Sequence, residues 1–319
     1  MTMSNYPGGF ADGVLIRGIP LTVAHPGKVF WVYNGTAVLP GQRGGSNGND
    51  GSFNSPFSTI DYAIGRCTAS RGDIIMVKPG HTETVSAASG VAQDVIGVAI
   101  IGLGVGGLTP TITLSAAASD WAISAASTTL YNFRFTASAT DVVRAVAVTA
   151  ANVTLKQVFF TDAGATNEIL TPIKATSAVD NNADNLWVEH CRHYSTSVAS
   201  LEFIEFNAQI NGLVVIDNMV VNEGTAAGGF MVGATGKDLK NAVILRNYLS
   251  DKATAGNLFI DSDSTASTGV VAHNRVGHAD VTTTHDFGAT GMGFRLFDNL
   301  SVSTASLSGF VLPAIDSDA

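Results

Sequence analysis

The chain has 319 residues, of which 45% are hydrophobic and only 13% are charged, so it can bury a substantial core and is not disordered as a whole. Its 26 acidic and 17 basic residues give a net charge of -9, without a cluster of Lys and Arg that could neutralise a run of phosphates. This balance argues against nucleic acid as a partner.

Membrane insertion, secretion and metal binding are not indicated either. The most apolar run, residues 95–103, is too short to cross a bilayer. Residues 1–20 lack the basic segment, apolar stretch and cleavage site of a secretion signal. Cys67 and Cys191 have no neighbouring Cys or His at metal-binding spacing, which predicts two buried free thiols and no metal or cofactor.

Residues 1–28 are predicted to form an extended arm. Frequent Gly and Pro residues interrupt regular structure there. The arm nevertheless carries apolar side chains that need a surface to lie against, namely Phe10, Val14, Leu15, Ile16, Ile19 and Leu21. A second apolar segment, the tail at residues 310–319, includes Phe310 and Leu312. We expect both segments to make assembly contacts with other chains.

Residues 29–71 are predicted to cap the body with a strand, a loop and a helix. A strand is expected at residues 29–33 and a Gly/Asn/Ser-rich loop at residues 41–55. In residues 56–66 a short helix is expected to begin after Ser55, because the apolar positions share one helical face: Phe57, Ile60, Ala63 and Ile64.

Residues 72–309 repeat a short β run that ends in a marker residue, which is Asn or a substitute for it. Eight markers recur, at Gly102, Asn132, Gln157, Cys191, Asn218, Asn247, Asn274 and Asn299. The intervals between successive markers are too short for repeated βαβ units, and no amphipathic helix lies between the markers. The pattern therefore predicts an all-β fold, a right-handed parallel β-helix.

Asn recurs at the ends of the β runs, where each coil must bend. Inward Asn side chains at such bends can bond the backbone and one another from coil to coil. We predict such a ladder at Asn132, Asn218, Asn247, Asn274 and Asn299. Strand alternation then places in the core the residues two and four positions before an Asn, namely Val214, Ile216, Val243, Leu245 and Val270.

The outward position before each marker forms a column that mixes both signs of charge: Lys156, His190, Asp217, Arg246, His273 and Asp298. One interpretation is an exposed ladder of compatible charges, which stabilises the fold weakly. The other is part of a sugar-binding groove. Against the second interpretation, Asp217 has no other acid beside it to complete an acid/base pair.

Three further sets of polar residues are weaker candidates for a site: Asp261 with Asp263, Glu202 with Glu205, and Glu189 with His190 and His193. The first pair has the spacing of cation ligands or glycosidase acids, but it lies in a Ser-rich, turn-like stretch. The second pair has no evident partner. In the trio, the two histidines face opposite sides of a strand, which argues against a metal site.

The passage from Gly48-Asn49-Asp50-Gly51 to Gly80 resembles the start of the pectate-lyase-like right-handed β-helix superfamily, with its polar loop, capping helix and Gly-Asp-x-Ile-x-Val-x-Pro-Gly strand. The resemblance implies the fold and no single function, because members include polysaccharide lyases, glycoside hydrolases, pectin esterases, phage tailspikes and non-enzymatic virion proteins. The enzymes group acidic residues on neighbouring coils. In this chain no such cluster with a nearby Arg is evident in a common register.

The expected function is therefore structural. We expect a capsid decoration or cement protein of a virion, assembled in the host cytoplasm, whose arm contacts the major capsid protein or other virion proteins. A homo-oligomer, dimer or trimer, is expected. The alternative is a phage tailspike or other receptor-binding protein that binds or cleaves bacterial surface polysaccharide, although only 20 residues follow Asn299. A free polysaccharide-degrading enzyme would be expected to carry a secretion signal and an acidic site.

Overall fold

Three sheets of mainly parallel strands run along the chain in the computed structural model, and each complete coil contributes one strand to each sheet. The described residues are 15–16, 19–20, 27–36, 41–164, 166–175, 179–197, 199–223, 229–252, 259–261, 266–278, 293–303 and 306–311. Parallel strands that pair from coil to coil without intervening helices form a β-solenoid. The predicted all-β parallel β-helix is therefore confirmed.

Sheet 1 contains ten strands, and all eight marker runs lie in it. Its strands are Val29–Val32, Ile74–Val77, Ala99–Gly102, Thr129–Tyr131, Thr154–Lys156, Trp187–Glu189, Val214–Ile216, Ala242–Leu245, Thr268–Ala272 and Gly293–Phe297. We name the bend that follows each of these strands bend 1.

Sheet 2 also contains ten strands, and its last strand is antiparallel to the one before it. Its strands are Thr82–Val85, Thr111–Leu114, Arg134–Ala137, Phe159–Asp162, Arg192–Ser195, Met219–Asn222, Tyr248–Asp251, Arg275–His278, Leu300–Ser303 and Ser306–Val311. Bend 2 leads from this sheet to sheet 3.

Sheet 3 contains seven strands, and bend 3 returns the chain to sheet 1. Its strands are Val91–Gln93, Trp121–Ile123, Val142–Val148, Ile169–Ala175, Ile204–Phe206, Met231–Gly233 and Ile260–Asp261. Two small pairs complete the strands: Leu15–Ile16 with Ile19–Pro20, which is antiparallel, and Ile210–Asn211 with Leu239–Lys240, which is parallel.

The capping helix covers Ile60–Ile64 and contacts the first strand of sheet 3. Its apolar face is buried as predicted, but the helix begins after Thr59, its N-cap, rather than after Ser55. The backbone N–H of Ile60 donates to Oε2 of Glu83 at 3.0 Å, which satisfies one of the free donors of the first turn. A one-turn 3₁₀ helix lies at Gly106–Leu108. Among the described residues, no helix is long and apolar enough to span a bilayer.

The first coil already includes Lys28, which the sequence assigned to the arm. Its N–H donates to Oδ1 of Asp73 at 2.7 Å, and its carbonyl accepts the N–H of Ile74 at 2.9 Å. Buried Asp73 also accepts the N–H of Thr68 and two bonds from Arg71 at 2.6 Å. These bonds fasten the entering chain to the first coil.

The apolar terminal segments fall largely outside the described residues. This applies to Phe10, Val14, Leu21 and Leu312. Leu15, Ile16, Ile19 and Phe310 lie in short strands whose side chains the structure does not describe. The predicted assembly contacts of both segments therefore stay predictions.

Bend 1 contains one residue in the left-handed region in each of seven successive coils, with φ between 46° and 59°. These bend residues are Asn132, Gln157, His190, Asp217, Arg246, His273 and Asp298. They turn the chain so that the next residue points inward. The inward residues are Phe133, Val158, Cys191, Asn218, Asn247, Asn274 and Asn299, all at most 2% exposed.

The asparagine ladder is formed by Asn218, Asn247, Asn274 and Asn299. In each step an Oδ1 accepts both the backbone N–H and the Nδ2 of the Asn one coil earlier, at 2.8 to 3.0 Å. Each Nδ2 also donates to a backbone carbonyl, for example from Asn247 to Val215 at 2.9 Å. The ladder thereby satisfies buried amide groups from coil to coil.

Asn132 does not belong to this ladder, so the predicted register is wrong by one residue in the early coils. Asn132 occupies the bend position, where its Nδ2 donates to the carbonyls of Gly102 at 2.8 Å and Gly104 at 3.0 Å. For the same reason the outward column contains Gln157 in place of Lys156, which is the last residue of its strand.

The predicted core positions are also wrong, and the bend residue explains why. Val214, Ile216, Val243, Leu245 and Val270 are only half-buried. The inward residues are Val215, Ile244 and Val271, which lie three positions before the ladder and are 0% exposed. Strand alternation does not continue through a residue with positive φ. The inward strand residue therefore lies an odd number of positions before the ladder residue, whereas alternation alone would place it an even number before.

Replacing Asn247 by Ala should lower the free energy of unfolding by about 3 kcal/mol or more, because it leaves buried donors of Asn218 and the carbonyl of Val215 without partners. Urea denaturation measures the change. The control is Asn182→Ala at an exposed turn, where the change should stay within about 0.5 kcal/mol. Equal stability of the two variants would contradict a structural role for the ladder.

Candidate functional site

Ion pairs join the charged residues of the bend 1 column and the last residues of the strands before it. Arg246 binds Asp217 through two bonds of 2.8 Å, and Lys156 lies 3.0 Å from Glu189. His190 lies 3.0 Å from the same Glu189. The bonds from Arg246 lower the pKa of Asp217. Asp217 is therefore held as a paired carboxylate, which is the arrangement of a stabilising ladder and not of a general acid.

Bend 2 contains acidic residues that the sequence analysis did not align. Asp141 and Glu168 lie on neighbouring coils, and the N–H of Asp141 donates to Oε1 of Glu168 at 3.1 Å. Arg144 pairs with Asp120 of the coil before at 2.6 Å. Acids of neighbouring coils therefore do meet here, at Asp141 and Glu168, whereas the arginine is paired with Asp120. The signal was an acid directly before three strands of sheet 3, at Asp120, Asp141 and Glu168.

Glu202 and Glu205 both have partners, which corrects the expectation that they have none. The hydroxyl of Thr171 donates to Oε1 of Glu202 at 2.7 Å, and Glu205 forms an ion pair of 2.6 Å with Lys174. Glu202 lies on bend 2, two residues before the sheet 3 strand Ile204–Phe206.

Burial limits what the bend 2 acids can do. Asp120 is 1% exposed, Glu168 2% and Glu202 6%. Burial is the largest cause that raises the pKa of Glu168 and of Glu202, and neighbouring Asp141 raises that of Glu168 further. Carboxyl groups enclosed in this way can hold a proton inside the bend, but they do not face a bound polymer.

Glu189, His190 and His193 do not assemble into one site. Glu189 ends its sheet 1 strand and His190 lies on bend 1, whereas His193 is 1% exposed and its ring stacks on Phe203 at 6.4 Å. Its Nε2 lies 3.3 Å from the hydroxyl of Ser200, and Nδ1 has no hydrogen-bond partner. Within the described part of the chain, no group of three or more His, Cys, Asp or Glu side chains could hold a metal ion. Asp261 ends a strand, and Asp263 lies outside the described residues.

Neither cysteine is placed for nucleophilic chemistry. Cys191 is buried as predicted, and burial raises the pKa of its thiol to about 12. Cys67 is only half-buried, which corrects the prediction, but burial also raises its pKa to about 12. The thiolate is the reactive form, and the raised pKa of both groups favours the neutral thiol at neutral pH.

The outer surface of sheet 2 carries exposed aromatic side chains. We name this surface the tyrosine–arginine face and define it by Arg192, Tyr194, Met219, Tyr248 and Arg275. Tyr194 and Met219 are each 46% exposed and Tyr248 is 42% exposed. Both arginines are exposed and form no ion pair with any described residue. Large side chains of this kind, presented side by side, form a surface suited to contacts.

A shallow groove of about 410 Å³ lies at bend 3. Ala125, Ala126, Ala150 and Ala151 contribute to its lining, and Asp94 is its only charged lining residue among those described. A single carboxylate among alanines supplies no acid/base pair. The groove is therefore a weaker candidate than the tyrosine–arginine face.

No protein-family model, curated protein or solved structure matches this chain. The parallel solenoid is consistent with a β-helix superfamily.

His193 makes stability sensitive to acid, because burial lowers its pKa from 6.5 to about 4 in the folded chain. As the pH falls, the unfolded chain binds the proton at a higher pH than the folded chain does. The free energy of unfolding should therefore decrease by about 3 kcal/mol between about pH 6.5 and about pH 4. In His193→Phe this loss should disappear, so the stability of the variant relative to the wild type should increase as the pH falls. Denaturation of both proteins between pH 7.5 and pH 4 measures the difference; a constant difference would contradict the assignment.

Proposed function

We propose that this chain is a non-enzymatic structural protein of a virion, of the capsid decoration or cement type, anchored through its apolar N-terminal arm. The observation that carries the proposal is the contrast between its inner and outer side chains. The acids of bend 2 are enclosed, whereas the outer surface presents tyrosine, methionine and arginine. Such a surface serves contacts between macromolecules better than it serves chemistry.

Glycoside hydrolysis provides the relevant test of an enzymatic role. It requires two carboxyl groups on either side of an accessible bond, about 5 to 10 Å apart. On bend 1, Asp217 is committed to Arg246, and on bend 2 Glu168 and Glu202 are buried. Both arrangements support a role without hydrolysis. The low charge of the chain, 13% of residues, also favours permanent packing against other protein surfaces.

A receptor-binding protein of the tailspike kind is the second candidate. Exposed aromatic rings favour it, since Trp187, Tyr194 and Tyr248 are each at least 40% exposed on the outer sheet surfaces. Flat rings with a polar edge are suited to binding ligands that are partly apolar and partly polar, and a polysaccharide is one such ligand.

Rebinding to stripped particles tests the anchoring arm. Particles from which the protein has been released by mild denaturant should rebind the full chain, and should rebind a chain lacking residues 1–26 at least about tenfold more weakly. The cut preserves Lys28 and its bonds to the first coil. Equal rebinding of the two chains would refute the arm as the anchor.

Incubation with bacterial capsular polysaccharide tests whether the second candidate cleaves its ligand. The structural proposal expects no release of reducing or unsaturated ends, and the buried Glu168→Gln variant should behave as the wild type does. Release of such ends by the wild type, reduced in Glu168→Gln, would favour the receptor-binding candidate and would make bend 2 its active site.

A further inference from the structure

The side chains of the tyrosine–arginine face lie in continuous columns because its strands are in register. Arg192, Met219, Tyr248 and Arg275 are successive register partners, and Tyr194 stands beside Val221 in the next outward column. Neighbouring strands lie about 4.8 Å apart, so the two arginines stand about 14 Å apart with the apolar side chains between them. An apolar centre flanked by arginines has the composition of the core of a protein–protein interface.

The charge of the face indicates what covers it. Arg192 and Arg275 have no ionic partner among the described residues. A second copy of the chain carries 26 acidic against 17 basic residues, so its surface offers an excess of carboxylates. Opposite charge across the interface would orient the two copies and stabilise their contact.

The size of the face sets a condition on the contact. The four strands that carry the face cover roughly 250 Å², and all nine parallel strands of sheet 2 cover roughly 550 Å², whereas a standard interface buries about 800 Å² on each partner. The contact must therefore extend beyond sheet 2, and bend 1 adjoins it. Trp187 and Phe297 lie on the adjoining side of that bend and are 40% and 54% exposed. They supply apolar surface next to the face.

We infer that two copies of this chain associate side by side. The tyrosine–arginine face of one copy packs against the surface of the other copy, with Trp187 at the rim of the contact. This inference does not depend on a virion location. It concerns a surface other than the arm, so the arm can fail as an anchor while self-association holds, and the converse is also possible.

Sedimentation of the full chain over a range of concentrations tests the inference. The wild type should form a dimer or a larger oligomer, and Met219→Glu should raise its dissociation constant by about tenfold or more, because it places a charge in the apolar centre. The matched control is Val143→Glu, which changes an equally apolar residue, 40% exposed, on sheet 3. Val143→Glu should leave the dissociation constant unchanged.

Two further variants test the roles of charge and of the rim. Arg192→Ala with Arg275→Ala should weaken association and reduce its dependence on salt, and Trp187→Ser should weaken it without changing that dependence. Circular dichroism and urea denaturation establish that each variant is folded. A wild type that stays monomeric at all concentrations would overturn the inference, as would equal effects of Met219→Glu and Val143→Glu.

Discussion

The left-handed residue at bend 1 determines the orientation of the side chains that follow it. The left-handed backbone conformation costs an ordinary residue about 1 to 2 kcal/mol, yet Gln157 and Arg246 adopt it. The cost is offset because the bend directs the next residue into the interior, where Phe133 and Val158 pack and the later asparagines bond one another. One backbone conformation, repeated in successive coils, thus aligns both the core and the outer charged column.

This constraint also separates what the sequence could predict from what it could not. Hydrophobic β runs at regular intervals were sufficient to predict the parallel solenoid and the strands of sheet 1. The register of individual side chains was not predictable from alternation alone, because no residue type uniquely marks a left-handed bend. Asn132 and Asn218 look alike in sequence, but Asn132 occupies the left-handed bend position, whereas Asn218 is the buried residue that follows the bend.

The bend 2 acids were missed for a different physical reason. Asp141 and Glu168 become neighbours only when the strands of sheet 3 are stacked, and these strands have no conspicuous marker of their own. Their environment differs from that of the bend 1 acids. Enclosure favours the neutral carboxyl at Glu168, whereas direct bonds from Arg246 favour the anion at Asp217. Residue type alone therefore says little about which acids of a solenoid are available to a ligand.

The final strand, Ser306–Val311, runs antiparallel along Leu300–Ser303 and so occupies the far edge of sheet 2. At the opposite end, the capping helix lies against the first strand of sheet 3. A further parallel coil could not continue the pairing of sheet 2 past a strand of reversed direction, so the coil-to-coil pattern of this sheet ends at Ser306–Val311. A strand of another molecule that paired with this edge in the opposite direction would do so in an antiparallel ladder, unlike the rest of the sheet.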